Sequence, residues 1–200
     1  MAIFDNILAQ GARNGIIPAR TQMAREWYRS AAENLLTRRI SSESFGRRMD
    51  ETRKTSEMEY GYMYAFAYDP KMKKELPYYD TFPLIFPVKF ENDGFMGINF
   101  HYLPPPLRAK LMDALYGTLT NKKYDDTTRM RISYSILQSA AKYRYFKPTL
   151  KKYLRSHVRS QFLEIHVNEW DIALFLPTES FRKADTRTVW EESRKKIGRT

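Results

Sequence analysis

Cysteine is absent from all 200 residues, which removes disulfides, thiolate metal sites and thiol nucleophiles together. Glycine is scarce, at 8 residues, and none of them falls into a phosphate-cradling loop, a dinucleotide fingerprint or a nucleophile elbow. Only three histidines are present, His101, His157 and His166, and their spacing matches no local metal motif, so a histidine metal site would need separate elements to converge. Long apolar runs are missing too. Nothing approaches the ~18 residues that span a bilayer, and the opening MAIFDNILAQ has neither a basic start nor an apolar segment of signal-peptide length. A soluble, cytoplasmic chain with no membrane partner is the expectation. The most informative absence is local: from Thr127 through Leu163 there is no Asp or Glu.

That acid-free stretch carries nine cations, Arg129, Arg131, Lys142, Arg144, Lys147, Lys151, Lys152, Arg155 and Arg159. Solvated helices normally mix signs, because opposite charges four residues apart contribute ~0.2–0.5 kcal/mol and like charges subtract as much. Here that help is forgone. If Pro148 opens a helix, Leu150, Leu154 and Val158 form its core side, and Lys151, Arg155 and Arg159 form a repelling row with Lys152 beside it. Tyr143, Tyr145, Phe146 and Tyr153 are interleaved, a mixture suited to phosphate and base as well as to protein interfaces. Arg144, Lys147, Lys151, Lys152, Arg155 and Arg159 are therefore the candidate anion-binding residues. Nucleic-acid backbone and an acidic protein surface both fit as the partner. A third reading is internal neutralisation by the flanking Asp125, Asp126, Glu164, Glu169 and Asp171.

The whole chain has a formal charge of +11, with 34 Lys and Arg against 23 Asp and Glu. The excess lies late: residues 1–57 carry ten cations against seven acids, residues 58–124 eight against seven, and residues 125–200 sixteen against nine. Hydrophobic residues at 42% and aromatics at 14% exceed what a disordered chain carries, and the length suits one well-packed domain with an appendage.

The periodicities divide the chain into an N-terminal helical arm with a polar linker, 1–57, and a single α+β domain with basic C-terminal helices, 58–200. In the arm, a short helix over Ala2–Gln10 ends at Gly11. A second starts near Pro18 and repeats Met23, Trp27, Ala31 and Leu35 at every fourth position, a narrow apolar stripe that fits partner docking or packing on the chain's own body. The linker Thr37–Glu57 is rich in charge and offers little to bury. In the domain, alternation predicts a strand over Tyr62–Tyr68 and a hairpin over Leu84–Tyr102, turning at Glu91-Asn92-Asp93-Gly94. Pro87 cannot donate to a ladder, so its strand needs an edge or a bulge. Helices follow over Pro106–Gly117, over Asp126–Tyr145, from Pro148, from Asn168 and over Asp185–Lys196, with a short strand at Phe162–Val167. The expected architecture is a small antiparallel sheet packed against several helices.

Catalytic signatures are thin. Asp80, Lys89 and Glu91 flank one predicted strand, and metal-dependent nucleases combine acids with a nearby Lys to hold Mg²⁺ and activate water. The order here is Lys-x-Glu, and no complete acidic set accompanies it. A metal-dependent nuclease is thus the last of three readings, and no cofactor, metal or small-molecule substrate is expected.

The phrase KKELPYYDTFPLIFPVKFENDGFMGINFHYLPPPLRAKLMDALYG, Lys73–Gly117, resembles small proteins of the large contractile-tailed phages, and PARTQMAREWYRS near the N-terminus adds to the likeness. The resemblance implies a virion or assembly component, with a DNA-end-binding role as the nearby alternative, and it assigns no individual residue. Put together, the expectation is a non-enzymatic virion protein of the tail, baseplate or neck. It would grip other virion proteins through its arm and basic surface and reside in the virion, and in the host cytoplasm during assembly. The alternative is a DNA-binding, end-protecting or packaging protein.

Overall fold

The computed structural model describes residues 2–15, 54–119, 121, 123–143, 146–165, 170 and 179–198. The stripe Met23, Trp27, Ala31 and Leu35 and the cation Arg144 lie outside the described residues.

The strands among the described residues are β1 (Lys54–Thr55), β2 (Met63–Ala65), β3 (Tyr79–Asp80), β4 (Leu84–Glu91), β5 (Gly94–Asn99), β6 (Leu150–Leu154), β7 (Phe162–Ile165) and β8 (Phe181–Arg182). The helices among the described residues are α1 (Ile3–Arg13), α2 (Pro105–Leu119), α3 (Asp126–Lys142) and α4 (Thr186–Gly198). Six strands form one antiparallel sheet in the order β1-β7-β2-β4-β5-β6, and β3 pairs with β8 in a separate ribbon. The fold is α+β, as the sequence pattern required.

Both faces of the sheet are covered. On one, Met63, Leu84, Phe86, Val88, Ile98 and Leu163 pack with Phe4, Ile7 and Leu8 of α1, Leu111, Met112 and Leu115 of α2, and Leu137 of α3. On the other, Tyr64, Phe66, Ile85, Phe95, Tyr153 and Phe162 form an aromatic cluster. Phe66 lies at its centre, with edge-on contacts to Phe95, Tyr153 and Phe162 at centroid separations of 5.2–5.6 Å. Such pairs contribute about 0.5–1.5 kcal/mol each beyond area burial.

The hairpin β4–β5 turns through Asn92-Asp93, with Glu91 opposite Gly94. Its register slips between Pro87 and Lys89, so the proline is accommodated by a bulge in an interior strand. The Val88 carbonyl at that bulge accepts a hydrogen bond from Gln138 Nε2 of α3.

Two expectations change. The helix expected from Pro148 is instead a single 3-10 turn, Lys147–Thr149, running into strand β6. Leu150 and Leu154 fit a four-residue repeat, but they fit a two-residue repeat equally well, and β5 offers an open edge along its whole length. Pairing of Gly94–Ile98 with Leu150–Leu154 satisfies that edge and buries Tyr153, which lies on the opposite face from Leu150. The row Lys151, Arg155, Arg159 on one helix therefore does not exist. The first helix of the expected arm is also a core element. Phe4 and Ile7 are buried, and the first-turn amides of Phe4 and Asp5 donate to the two carboxylate oxygens of Asp113 on α2 at 2.9 and 3.0 Å. Strand β1 likewise brings the end of the expected linker into the sheet against β7.

Glycine is obligatory at one point. A Cβ on Gly94 would lie 2.0 Å from the Tyr153 carbonyl oxygen, which is backbone and has no rotamer to escape into. We predict that Gly94→Ala destabilises the protein by at least about 2 kcal/mol, seen as a fall of about 4–8 °C in thermal midpoint for a chain of this size. An unchanged midpoint would mean that β6 does not pair in this register.

A candidate nucleic-acid interface around Lys151

The site is built where β6 meets the segment after β5 and the β3–β8 ribbon. Alternation along β6 sends Lys151 and Tyr153 to the aromatic face of the sheet and Lys152 to the other. Lys151 lies opposite Gly97, and its ammonium stands 4.0 Å from the centroid of the Tyr102 ring. No carboxylate lies within ion-pair distance of it among the described residues. Burial, with repulsion from Lys196 second, draws the Lys151 ammonium down to about 8. It remains charged at neutral pH. A cavity of about 490 Å³ opens beside it, lined by Lys151, Lys152, Tyr153, Tyr102, Asp80 and Tyr78. Its lining also takes in Tyr68, Tyr79, Leu154 and the loop residues Pro70, Lys71, Met72 and Leu76. That loop is held by Lys183, whose Nζ donates to the carbonyls of Lys74 and Leu76 at 2.9 Å each.

The inner wall is a buried polar network. Asp80 Oδ2 accepts from Asn99 Nδ2 at 3.1 Å and meets His101 Nδ1 at 2.6 Å, while Oδ1 accepts from the Phe82 amide at 3.0 Å. Asn99 Nδ2 also donates to the Tyr153 hydroxyl at 3.0 Å, and Asn99 Oδ1 accepts from the His101 amide at 2.9 Å. Desolvation pushes the Asp80 carboxyl up, but His101 beside it and the donated hydrogen bonds together outweigh that and hold it below the usual carboxylate value. Burial raises the Tyr153 hydroxyl well above its ordinary range, so it stays neutral. Behind the network, the buried pair Arg108–Glu179 closes at 2.6 Å, and Arg108 Nε donates to the Leu103 carbonyl at 2.7 Å. The Trp190 indole donates to the His101 carbonyl at 2.8 Å, which docks α4.

The other sequence-derived cations are dispersed. Lys152 is exposed and already neutralised, 2.9 Å from Glu91 and 3.0 Å from Asp93. Glu91, held by Lys89 and Lys152, is drawn down to about 2. Arg159 is 3.9 Å from Asp69, which is also bound by Lys73. Lys147 and Arg155, each at a 3-10 turn, are exposed and have no carboxylate partner among the described residues. The acid-free stretch is thus balanced in part by the chain's own carboxylates, though by Glu91, Asp93 and Asp69, which are far from it in sequence.

The nuclease constellation is not assembled. Asp80 contacts the far end of the hairpin through Asn99, which pairs with Ile85, whereas Glu91 sits at the turn. Six residues of strand separate those points, about 20 Å. Lys89 and Glu91 form a surface ion pair at 2.8 Å. His101 is buried beside Asp80, while His157 binds the Asp69 carbonyl beyond the turn end of β6, so these two do not converge. Sequence reasoning noted Tyr153 among the aromatics interleaved with the cations and weighed His101 only as a metal ligand, and it missed Asn99 and Tyr102 as site residues. Asn99 alone carried a signal, a polar residue in an otherwise apolar strand.

Comparison with protein families matches residues 18–195, most of the chain, to the family described as phage T4 terminal DNA protecting protein. The chain belongs to this family. The phrase Lys73–Gly117 pointed to proteins of the large contractile-tailed phages, and the matched family is a phage family. Comparison with curated proteins and with solved structures gave no match in either case. No helix among the described residues is long and apolar enough to cross a membrane.

The Asp80 network makes a stability prediction. A carboxyl whose folded-state value is depressed contributes stability that is complete above the unfolded value near 3.8 and lost as pH falls through the lower folded value. Asp80→Ala strips Asn99 and His101 of their shared acceptor, so a loss of about 3 kcal/mol or more at pH 7 is expected in urea unfolding. The variant should also lose the part of the wild-type acid sensitivity that develops below pH 4.

Proposed function

We propose that this protein binds the ends of phage DNA and shields them, without catalysing a reaction. The observation that carries this reading is the family match over residues 18–195, whose description names terminal DNA protection. The surface supports it physically. Lys147 and Arg155 are exposed without carboxylate partners among the described residues, and Arg159 has only a 3.9 Å approach to a carboxylate that Lys73 also binds. Cations in that condition give up little within the protein on meeting phosphate, and gain the entropy of the counterions they displace. The net +11 of the chain strengthens encounter with any polyanion.

The DNA-end reading takes precedence over the structural virion role that the sequence alone placed first. Residence in the virion, and in the host cytoplasm during infection, accords with it. Gripping of other virion proteins rests on the stripe Met23, Trp27, Ala31 and Leu35, and it is a further role that the same chain can perform. The nuclease reading loses its support, since Asp80 is committed to His101 and Asn99 and Glu91 to two lysines.

The test uses the full chain with linear duplex and with a covalently closed circle of the same sequence. Linear DNA should resist a processive exonuclease in the presence of the protein, and its log affinity should fall linearly with log salt. Replacing Lys147, Arg155 and Arg159 together by Ala should reduce that slope by about 1 for each phosphate no longer neutralised. Exonuclease digestion at an undiminished rate under saturating protein would refute the reading.

A further inference from the structure

We propose that the cavity beside Lys151 receives the terminal nucleotide of a DNA strand, with its phosphate on Lys151 and its base against the tyrosine walls. The inference rests on the end-protecting reading and deepens it by naming a site.

Lys151 is the starting point. A lysine held off the solvent normally acquires a carboxylate, because desolvating an unpaired ammonium is unfavourable. Here the compensation is the face of Tyr102, a cation–π contact at 4.0 Å. Lys151 also lines the cavity, and no carboxylate pairs with it among the described residues. An entering anion supplies the missing partner. The chemistry of the lining narrows which anion. Tyr68, Tyr78, Tyr79, Tyr102 and Tyr153 surround the space, and aromatic faces among cations take up nucleobases irrespective of sequence. Asp80 also lines the cavity, but its carboxylate is engaged by His101 and Asn99 and by the Phe82 amide. It keeps a phosphate away from the inner wall and towards Lys151. Lys71 stands at the rim, and Lys196 lies 5.8 Å from the Tyr78 ring centroid.

Size supplies the remaining constraint. About 490 Å³ falls within the 300–1,000 Å³ of sites that hold single small molecules. One nucleotide enters such a space; a paired duplex does not. A strand end offers a nucleotide that unstacks at a smaller cost than a base flipped out of the paired interior. The pocket therefore distinguishes ends from the interior of DNA by geometry, which backbone-binding cations such as Arg155 cannot do.

The experiment measures binding of the full chain, by fluorescence anisotropy at moderate salt, to three duplexes of one sequence. One is blunt, one has a mismatched terminal pair, and one is a covalently closed circle without ends. Wild type should bind the mismatched end best and the closed duplex least, and millimolar 5′-dAMP should reduce only the end-dependent part. Lys151→Met should weaken binding to open ends at least 10-fold and leave the closed duplex unchanged. Its thermal midpoint should be no lower than that of wild type, because a desolvated charge is replaced by an apolar chain of similar length. A second readout needs no variant: 5-iodouracil at the terminal position, photolysed on wild type, should crosslink to Tyr78, Tyr79 or Tyr102. If wild type prefers open ends but Lys151→Met keeps that preference, or the crosslinks map elsewhere, the pocket assignment is overturned and end protection stands. Equal binding of wild type to open and closed duplexes overturns both.

Discussion

A single carboxylate organises this protein's most constrained region. Asp80 is 4% exposed and belongs to the short ribbon β3–β8, which is separate from the main sheet. A carboxylate so placed is tolerated only if its lone pairs are filled, and the donors come from three directions: Asn99 at the end of β5, His101 in the following turn and the amide of Phe82. Because Asn99 also donates to Tyr153 of β6, satisfying Asp80 fixes the ribbon, the hairpin and the last strand relative to one another. The cavity wall follows from that requirement, including the position of Tyr102 beneath Lys151.

The sheet divides the remaining tasks. Its aliphatic face is covered by α1, α2 and α3 and supplies an ordinary hydrophobic core. Its aromatic face is filled by rings packed edge to face. Tyrosine suits that arrangement because the ring is buried while the hydroxyl finds a partner, as Tyr64 does with the Glu59 amide and Tyr68 with the Leu154 amide. The same residue type, carried past the edge of the cluster, lines the cavity. Core and candidate site are therefore continuous, and a change in the cluster reaches the site through Tyr153.

Charge is distributed by function of position and not by sequence block. The acid-free run from Thr127 to Leu163 reads as one basic face, but the fold splits it among a helix, two 3-10 turns, strand β6 and the start of β7. Both lysines border the cavity, but Lys152 finds Glu91 and Asp93, whereas Lys151 finds the face of Tyr102. Neighbours in sequence thus have opposite electrostatic circumstances. Lys147 and Arg155 stay in solvent, available to phosphate.

The α+β class, the β4–β5 hairpin and its Asn-Asp turn, the bulge required by Pro87, and helices α2, α3 and α4 were legible in the sequence, because each rests on local periodicity or local turn chemistry. So was the surplus of positive charge, which is a sum over residues and needs no coordinates. What the tertiary structure decided is everything that depends on a partner distant along the chain. Leu150–Leu154 satisfies two periodicities, and only the unpaired edge of β5 selects the strand. Helix α1 has no side-chain cap of its own, so its amides are met by Asp113, a residue 108 positions away from Asp5. The direction in which Lys151 points, and hence the site, follows from that choice of strand over helix. A one-dimensional pattern fixes what a segment can become; the hydrogen-bonding edge and buried charge it meets in three dimensions fix which alternative it takes.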